Sequence, residues 1–427
     1  MLSKNKRLSN FSHAIQTTSD CFRPDNEQQI QSLLTARDNL LARGNGSSYG
    51  DCCLNNDGGI VDTRRLNHFL SFDELSGELV CQGGVTFAEL FLVHPHYIPP
   101  VIPGTLRATV AGGIANDVHG KNNPHAGSFG QHLNWLDLQL GKQSLRCSPA
   151  ENSDLFYATI AGLGLTGIIT RVALQMLKKS PFVAVETEKY SEFETLLQRM
   201  QQGGCQYDYQ VAWLDLLNEP HAVLSLANHT ELEAPESLSH FSIPKLPVRL
   251  VNRWVMKHFN RYYFKSKKTN RQILSLRQFN NPLDSIQHWN RLYGNQGLLQ
   301  FQAIFDSNTA HNTLNQLLAI IHTSQATPTL AVLKYLTQAG SGLLSFVRPG
   351  FTLAIDFINN QAAQEVIRNL NEFITKIQGK IYLAKDMFLT PQQFQQQYPN
   401  HEQFKKLLIH YKSVMHSDLS HRLGLTS

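Results

Sequence analysis

No run of apolar residues in this chain approaches the ~20 that a membrane-spanning helix needs, so an ordinary globular class is expected. Charge is sparse as well: charged residues make up 17% of 427 positions and the formal net charge is +5, too mild and too dispersed to point to nucleic acid. The cysteines (Cys21, Cys52, Cys53, Cys81, Cys147 and Cys205) show no C-x-x-C spacing. That argues against a zinc site and a disulfide framework, and favours free, mostly buried thiols in a reducing compartment. Residues 1–20 carry basic side chains without an apolar h-region, so a secretory signal is not expected. Internal repeats and low-complexity segments are absent too. The hydrophobic content of 42% over this length allows two or three domains with sizeable cores.

What is present is glycine in clusters. Residues 101–132, VIPGTLRATVAGGIANDVHGKNNPHAGSFGQH, combine glycines with small residues and hold almost no hydrophobic run. Such a stretch builds little core but lets backbone N–H groups approach a ligand. Thr109 to Asn116 reads as a helix start made of small residues, suited to close approach of a phosphate or ring. His119, His125 and His132 fit no zinc spacing, and no metal is expected. A second cluster, Gly44 to Asp51, follows the short strand 40–44 and could cradle a pyrophosphate. It lacks both the G-x-G-x-x-G spacing and the Gly-Lys-Ser/Thr of a P-loop. A third, Ala161 to Thr170, feeds the strand RVALQML. Each alone is equally a tight turn or a solvated loop. Together, alternating with short strands and helices, they suggest one α+β domain folded around one large anionic, aromatic ligand.

Coarse patterning adds helices at 27–37, 86–94 (Thr86 as N-cap), 193–202, 310–323 and 361–377. Strands are expected at 58–66, 77–84, 207–217, 222–226, 298–305, 329–336 and 351–357. An antiparallel sheet covered by helices accommodates the second half. Residues 241–271 hold nine Lys/Arg, six aromatics and no Asp or Glu. Arg249, Arg253, Lys257, Arg261 and Lys265 recur every four residues, giving a basic stripe if helical, beside an apolar face of Val251, Trp254, Val255 and Tyr262. An interfacial helix fits this pattern, as does a solvated basic helix. Thr337 to Pro349 reads as a flexible lid.

The ordered set ARGNGSSYGD, PGTLRATVAGGIANDVHGKNNPHAGSFGQH and DLFYATIAGLGLTGIIT resembles the FAD domain of the vanillyl-alcohol oxidase/p-cresol methylhydroxylase superfamily. The DVHGKN and AGSFG pieces resemble, more narrowly, the flavoprotein oxidases of decaprenylphosphoryl-β-D-ribose 2′-epimerisation. The likeness continues through AWLD, HWNRLYG, LLQFQ, VLK, IYLAKD and SDLSHRL, nearly to the C-terminus. It implies a p-cresol-methylhydroxylase-type (PCMH-type) two-subdomain FAD-binding domain over 1–183 and a substrate domain over 184–379. The segment 380–427 then returns to the FAD domain.

By the same resemblance, Ala42, Arg43, Gly44, Asn45, Gly46, Ser47, Ser48, Tyr49, Gly50, Asp51 and Cys52 line the FAD pyrophosphate and ribityl chain. Gly104, Thr109, Val110, Ala111, Gly112, Asn116, Asp117, Val118 and His119 contact flavin and phosphates, with Ile169 and Tyr382 completing the shell. Tyr49 stands at or near the place where many superfamily members attach FAD through histidine, so non-covalent FAD is expected. His119 is implied as a positioning group beside the flavin. Lys385, in the strand-like IYLAKD, matches the lysine at the reacting hydroxyl, while Trp213, Tyr293, Gln300, Gln302 and Lys334 match pocket residues. Two positions depart from the mycobacterial members: Ala354 replaces a cysteine and Thr352 an asparagine, so thiol-directed inhibitors are not expected to attach.

The implied activity is oxidation of the C2′ hydroxyl of a polyprenyl-phosphoryl pentose to a 2′-keto intermediate for cell-envelope sugar synthesis. An NAD(P)H-dependent short-chain reductase would complete the epimerisation. A cytoplasmic protein attached peripherally to the inner membrane is expected, with the periplasmic face left open. The competing readings are a soluble aldonolactone- or alditol-type oxidase using oxygen, and a non-redox sugar-lipid binding protein on the same fold. The C-terminus lacks the His-Trp-Gly-Lys motif that the soluble-oxidase reading calls for.

Overall fold

A computed structural model describes residues 1–204, 206–234, 241–244 and 249–426. Cys205 and positions 245–248 of the basic stretch lie outside the described residues. The chain opens with a four-stranded sheet, in spatial order Lys4–Ser9, Gln16–Phe22, Gly59–Asp62 and Leu40–Arg43. The last two run parallel, with Leu41 beside Ile60. Between Gln16–Phe22 and Leu40–Arg43 in sequence lies the helix Glu27–Ala36, started by the Asn26 side chain accepting from the Gln29 amide at 3.0 Å. Its Ile30, Leu33 and Leu34 share one face at helical spacing and pack on Phe22, Leu40 and Val61. A five-stranded antiparallel sheet follows, ordered Phe69–Asp73, Glu78–Gln82, Ile168–Gln175, Leu133–Leu140 and Gln143–Cys147.

The second half forms an eight-stranded antiparallel sheet. Its order is Arg271–Ser275, Phe182–Tyr190, Ala222–His229, Tyr209–Leu214, Pro328–Leu336, Gly350–Ile358, Leu298–Phe305 and Lys380–Ile381. Alternation along the strands decides what each face does. Phe301, Ala303 and Phe305, with Leu353, Ile355 and Phe357, pack in one core with the helices Phe193–Gly203, Ala310–Thr323 and Gln361–Lys376. The alternate residues, Gln300 and Gln302 with Thr352, Ala354 and Asp356, line a cavity on the other face. The sheet covered by helices is as expected. The end of the chain crosses back: Met415 bridges to Leu40, the Asn56 amide donates to Asp418, and Arg422 grips Asp51 and Asp386 at 2.8–2.9 Å.

Four local expectations are corrected. The helix at 86–94 is a single turn, Phe87–Leu90, because the chain runs into His94-Pro95, where proline disfavours helical geometry one residue earlier. In IYLAKD only Ile381 is in a strand. Residues 382–385 form a turn, closed by the Lys385 amide on the Tyr382 carbonyl at 2.9 Å. Among its described residues the basic stretch is helical only over Arg253–Ser266, so Arg249 and the buried Val251 precede that helix. Arg253 donates to the Ala326 carbonyl, which leaves a shorter stripe. Thr337 to Pro349 is a fixed strap rather than a lid. Leu344, Ser345, Phe346 and Val347 are buried, and Ser345 donates to Asp117 at 2.6 Å.

Candidate active site

The loop after Leu40–Arg43 turns through Gly46 at φ +62°, a left-handed conformation that costs glycine little. Among the described residues, the amides of Asn45, Gly46, Ser47 and Ser48 donate to no protein acceptor. Successive free N–H groups on a turn make a nest for an anion such as a pyrophosphate. The next two amides, of Tyr49 and Gly50, are anchored on the Ala384 carbonyl at 3.1 Å. Gly50 passes so close to the 382–386 turn that a Cβ there would lie 2.3 Å from the Asp386 oxygen. Thus the C-terminal turn and the glycine loop position one another.

Opposite stands the short helix Val110–Ala115, begun by Thr109, whose hydroxyl accepts from the Gly112 amide at 3.2 Å. A Cβ on Gly44 would meet that hydroxyl at 2.4 Å, so the two loops touch and glycine is needed. The turn before Ile168–Gln175 adds Leu163, Gly164, Gly167, Ile168 and Ile169. These three walls and the polar sheet face enclose a cavity of about 660 Å³, in the range for cofactor and ligand sites.

At its centre, Gln302 Nε2 lies 2.9 Å from His119 Nε2 and donates to Thr352 Oγ1 at 3.2 Å. With Gln302 as donor the imidazole proton sits on Nδ1, which is buried without a partner. Burial, then the Lys334 and Lys385 cations, hold His119 well below its usual range, so the ring is neutral at pH 7. Lys385 Nζ sits 3.6 Å over the Tyr49 ring. Burial pulls its pKa down to about 7, with Asp356 opposing and Lys334 reinforcing. Asp356 is pushed by burial up to about 6, against the Gln300 amide (2.5 Å to Oδ1) and Lys385. Its Oδ2 has no partner. Lys334 is drawn by burial to about 8, and Lys121 by burial and Lys334 to about 7.

Of the residues implied by sequence, 42–49, Cys52, Gly104, Thr109, Ala111, Gly112, Asn116, Val118, His119, Ile169 and Tyr382 line this cavity. So do Trp213, Gln300, Gln302, Lys334 and Lys385. Five others stand behind its wall. Gly50 is tied to Ala384, Asp51 to Arg422, and Val110 to the Val85 carbonyl. Asp117 accepts from the Gly130 amide and Ser345, and the Tyr293 hydroxyl shares a hydrogen bond with Thr329 at 2.6 Å. Arg43 lines the cavity, yet its guanidinium is spent on the Ser9 and Cys53 carbonyls. The sequence reading missed Asp356 and Lys121. A lone carboxylate inside the apolar run 351–358 was the available signal for the first. For Lys121 there was none beyond its place in DVHGKN.

The residues fit FAD: free amides suit a pyrophosphate, glycines allow close approach, and the buried His119 Nδ1 lacks a partner. The FAD binding domain family matches residues 21–148. Decaprenylphosphoryl-beta-D-ribose oxidase of Mycolicibacterium smegmatis is 31% identical over 90% of this chain and 89% of its own length. Two matches are partial. A putative D-arabinono-1,4-lactone oxidase of Neurospora crassa is 29% identical over 36% of this chain and 28% of its own. Cytokinin dehydrogenase 8 of Oryza sativa is 29% identical over 40% and 37%. The chain therefore belongs to the decaprenylphosphoryl-β-D-ribose oxidase family, FAD-dependent oxidoreductases acting on CH–OH groups.

Proposed function

We propose that this chain oxidises the C2′ hydroxyl of a polyprenyl-phosphoryl pentose to a ketone. The observation that carries the reading over from the mycobacterial relative is the pair Lys385 and Asp356, set in one cavity wall with pKa values of about 7 and about 6. FAD bound along 42–49 and 104–119 supplies the hydride acceptor. Lys385, in its amine form, takes the hydroxyl proton as the C2′–H bond breaks and the carbonyl forms. In its ammonium form it holds the hydroxyl and stabilises developing negative charge on oxygen. Asp356 keeps part of Lys385 charged, and the Tyr49 ring face favours the ammonium form too. The Gln302–His119 hydrogen bond fixes both side chains beside the reacting carbon. Tyr49 offers no imidazole for a flavin bond, so the cofactor is held without a covalent link.

A 2′-ketone returned to the opposite alcohol needs a second hydride donor, which makes an NAD(P)H-dependent short-chain reductase the partner. Membrane contact is assigned to the helix Arg253–Ser266, whose Trp254 and Tyr262 are 69% and 72% exposed beside Arg261 and Lys265. No helix among the described residues is long and apolar enough to cross a membrane. The test is anaerobic: farnesylphosphoryl-β-D-ribose should bleach the flavin, and free alditols and aldonolactones should not. The reverse pattern would transfer the protein to the soluble sugar-oxidase reading.

A further inference from the structure

Lys121, Lys334 and Lys385 all line the cavity, and none is ion-paired among the described residues. Lys385 has Asp356 in its electrostatic surroundings. Lys121 is opposed by burial and by the Lys334 cation, Lys334 by burial, and neither has a carboxylate among its charge partners. Lys121 Nζ reaches the Phe279 carbonyl at 2.5 Å and lies 4.5 Å over that ring, and Lys334 Nζ has no hydrogen bond. Two neighbouring amines turned into one cavity, neither ion-paired with its Asp356 or Asp284, are costly to charge unless an anion arrives. The amide nest that suits the FAD pyrophosphate is on residues 45–48, in another wall.

Their place on the sheet says which anion. Lys334 is on Pro328–Leu336, one strand from the Asp356 strand. Lys121 reaches the next strand, where its carbonyl accepts from the Gln210 amide at 2.9 Å. Beyond Lys334 the sheet runs on for four strands, about 19 Å at ~4.8 Å each. There the cavity-lining side chains become mostly apolar: Val211, Trp213, Val223, Val185 and Leu274, with Phe259 and Phe279 beside them and Ser225, Thr187 and Gln272 between. Polar reaction end, paired cations and apolar trough thus follow one another across a single face.

We propose that Lys121 and Lys334 form a subsite for a phosphodiester anion, and that the trough beyond them receives the first isoprene units of the lipid. The subsite rests on the function proposed above, and orders the substrate as sugar at Lys385, phosphate at Lys121 and Lys334, and lipid toward Leu274. Arrival of the anion favours the charged form of both lysines, so binding takes up protons near neutral pH.

The test uses FAD-loaded wild type, Lys121→Gln, Lys334→Gln and Lys334→Arg. The substrates are farnesylphosphoryl-β-D-ribofuranose and the neutral farnesyl β-D-ribofuranoside. The readout is the ratio of kcat/KM for the charged over the neutral substrate, from anaerobic flavin reduction. Each Gln variant should lower that ratio about ten- to hundredfold, the loss expected for a hydrogen bond to a charged group, and Arg should restore most of it. An unchanged ratio overturns the subsite while leaving the reaction intact. Weaker FAD binding with an unchanged ratio also overturns it, assigning the lysines to the cofactor. Wild type reduced by neither glycoside overturns the reaction itself. For the trough, Leu274→Asn should shrink the preference for farnesyl- over methylphosphoryl riboside, and an unaltered preference would remove the lipid from that face.

Discussion

Neutralising Asp356 tests the proton-transfer geometry most directly. In Asp356→Asn the side chain keeps its size and its contact with Gln300, but the carboxylate that raises Lys385 is gone. Removing an opposite unit charge from the surroundings of a buried amine, at an effective dielectric of about 20, is worth on the order of 1–2 kcal/mol, or about one pKa unit. Lys385 titrates at about 7, and the amine form is the one that accepts the hydroxyl proton. The rate of flavin reduction should therefore rise with pH through about 7 in the wild type. In the variant the ammonium loses its support, so that rise should move to lower pH by about one unit. The assay is the anaerobic loss of visible flavin absorbance at saturating farnesylphosphoryl-β-D-ribose, followed from about pH 5 to about pH 9. Saturation keeps Lys121, which also titrates at about 7, from entering through binding. A rise that stays in place or moves upward would refute Lys385 as the titrating group. Disappearance of the rise in Lys385→Met and its persistence in Lys121→Met would secure the assignment.

Lys385→Ala should keep FAD yet lose roughly 10²- to 10⁴-fold in flavin reduction, and near-normal reduction would remove the residue from the chemistry. Denaturation should release all flavin into the filtrate, whereas flavin retained on the unfolded chain would show a covalent link that Tyr49 does not supply. Arg422→Met removes the cation between Asp51 and Asp386, and should cost about 3 kcal/mol in denaturant melts with loss of FAD affinity, since those carboxylates flank the 44–50 loop and the 382–386 turn. Trp254→Ser combined with Tyr262→Ser should weaken binding to anionic vesicles, and equal binding would end the role assigned to that helix.

Sequence alone carried much of the architecture because the second-half strands and helices have strong periodicity. The helix at 310–323 and the strand at 298–305 begin and end where the pattern places them. The glycine clusters pointed to the cofactor for a local reason. Free amides and left-handed turns belong to short segments, so Gly44 to Ser48 advertise their use without knowledge of what surrounds them. Short elements were less legible: the 86–94 helix was cut to one turn by a downstream proline, and in IYLAKD the chain turns so that the Ala384 carbonyl holds the Tyr49 and Gly50 amides.

Tertiary structure decided which side chains meet. Asp356 and Lys334 share a face through the pairing of Gly350–Ile358 with Pro328–Leu336, while the 382–386 turn and the loop bonded to Gln210 bring Lys385 and Lys121 to the same cavity. Burial then moves their titration toward neutrality, and that is a property of the assembled cavity. The strap 337–349 shows the converse. Its small polar residues read as mobile, yet Asp117 and the apolar core pin it in place. Sequence determined the family, the cofactor and the strand alternation, because these depend on local backbone chemistry and period. The fold alone determined which lysine stands beside a carboxylate and which two await an anion, because that depends on distances between strands remote in the chain.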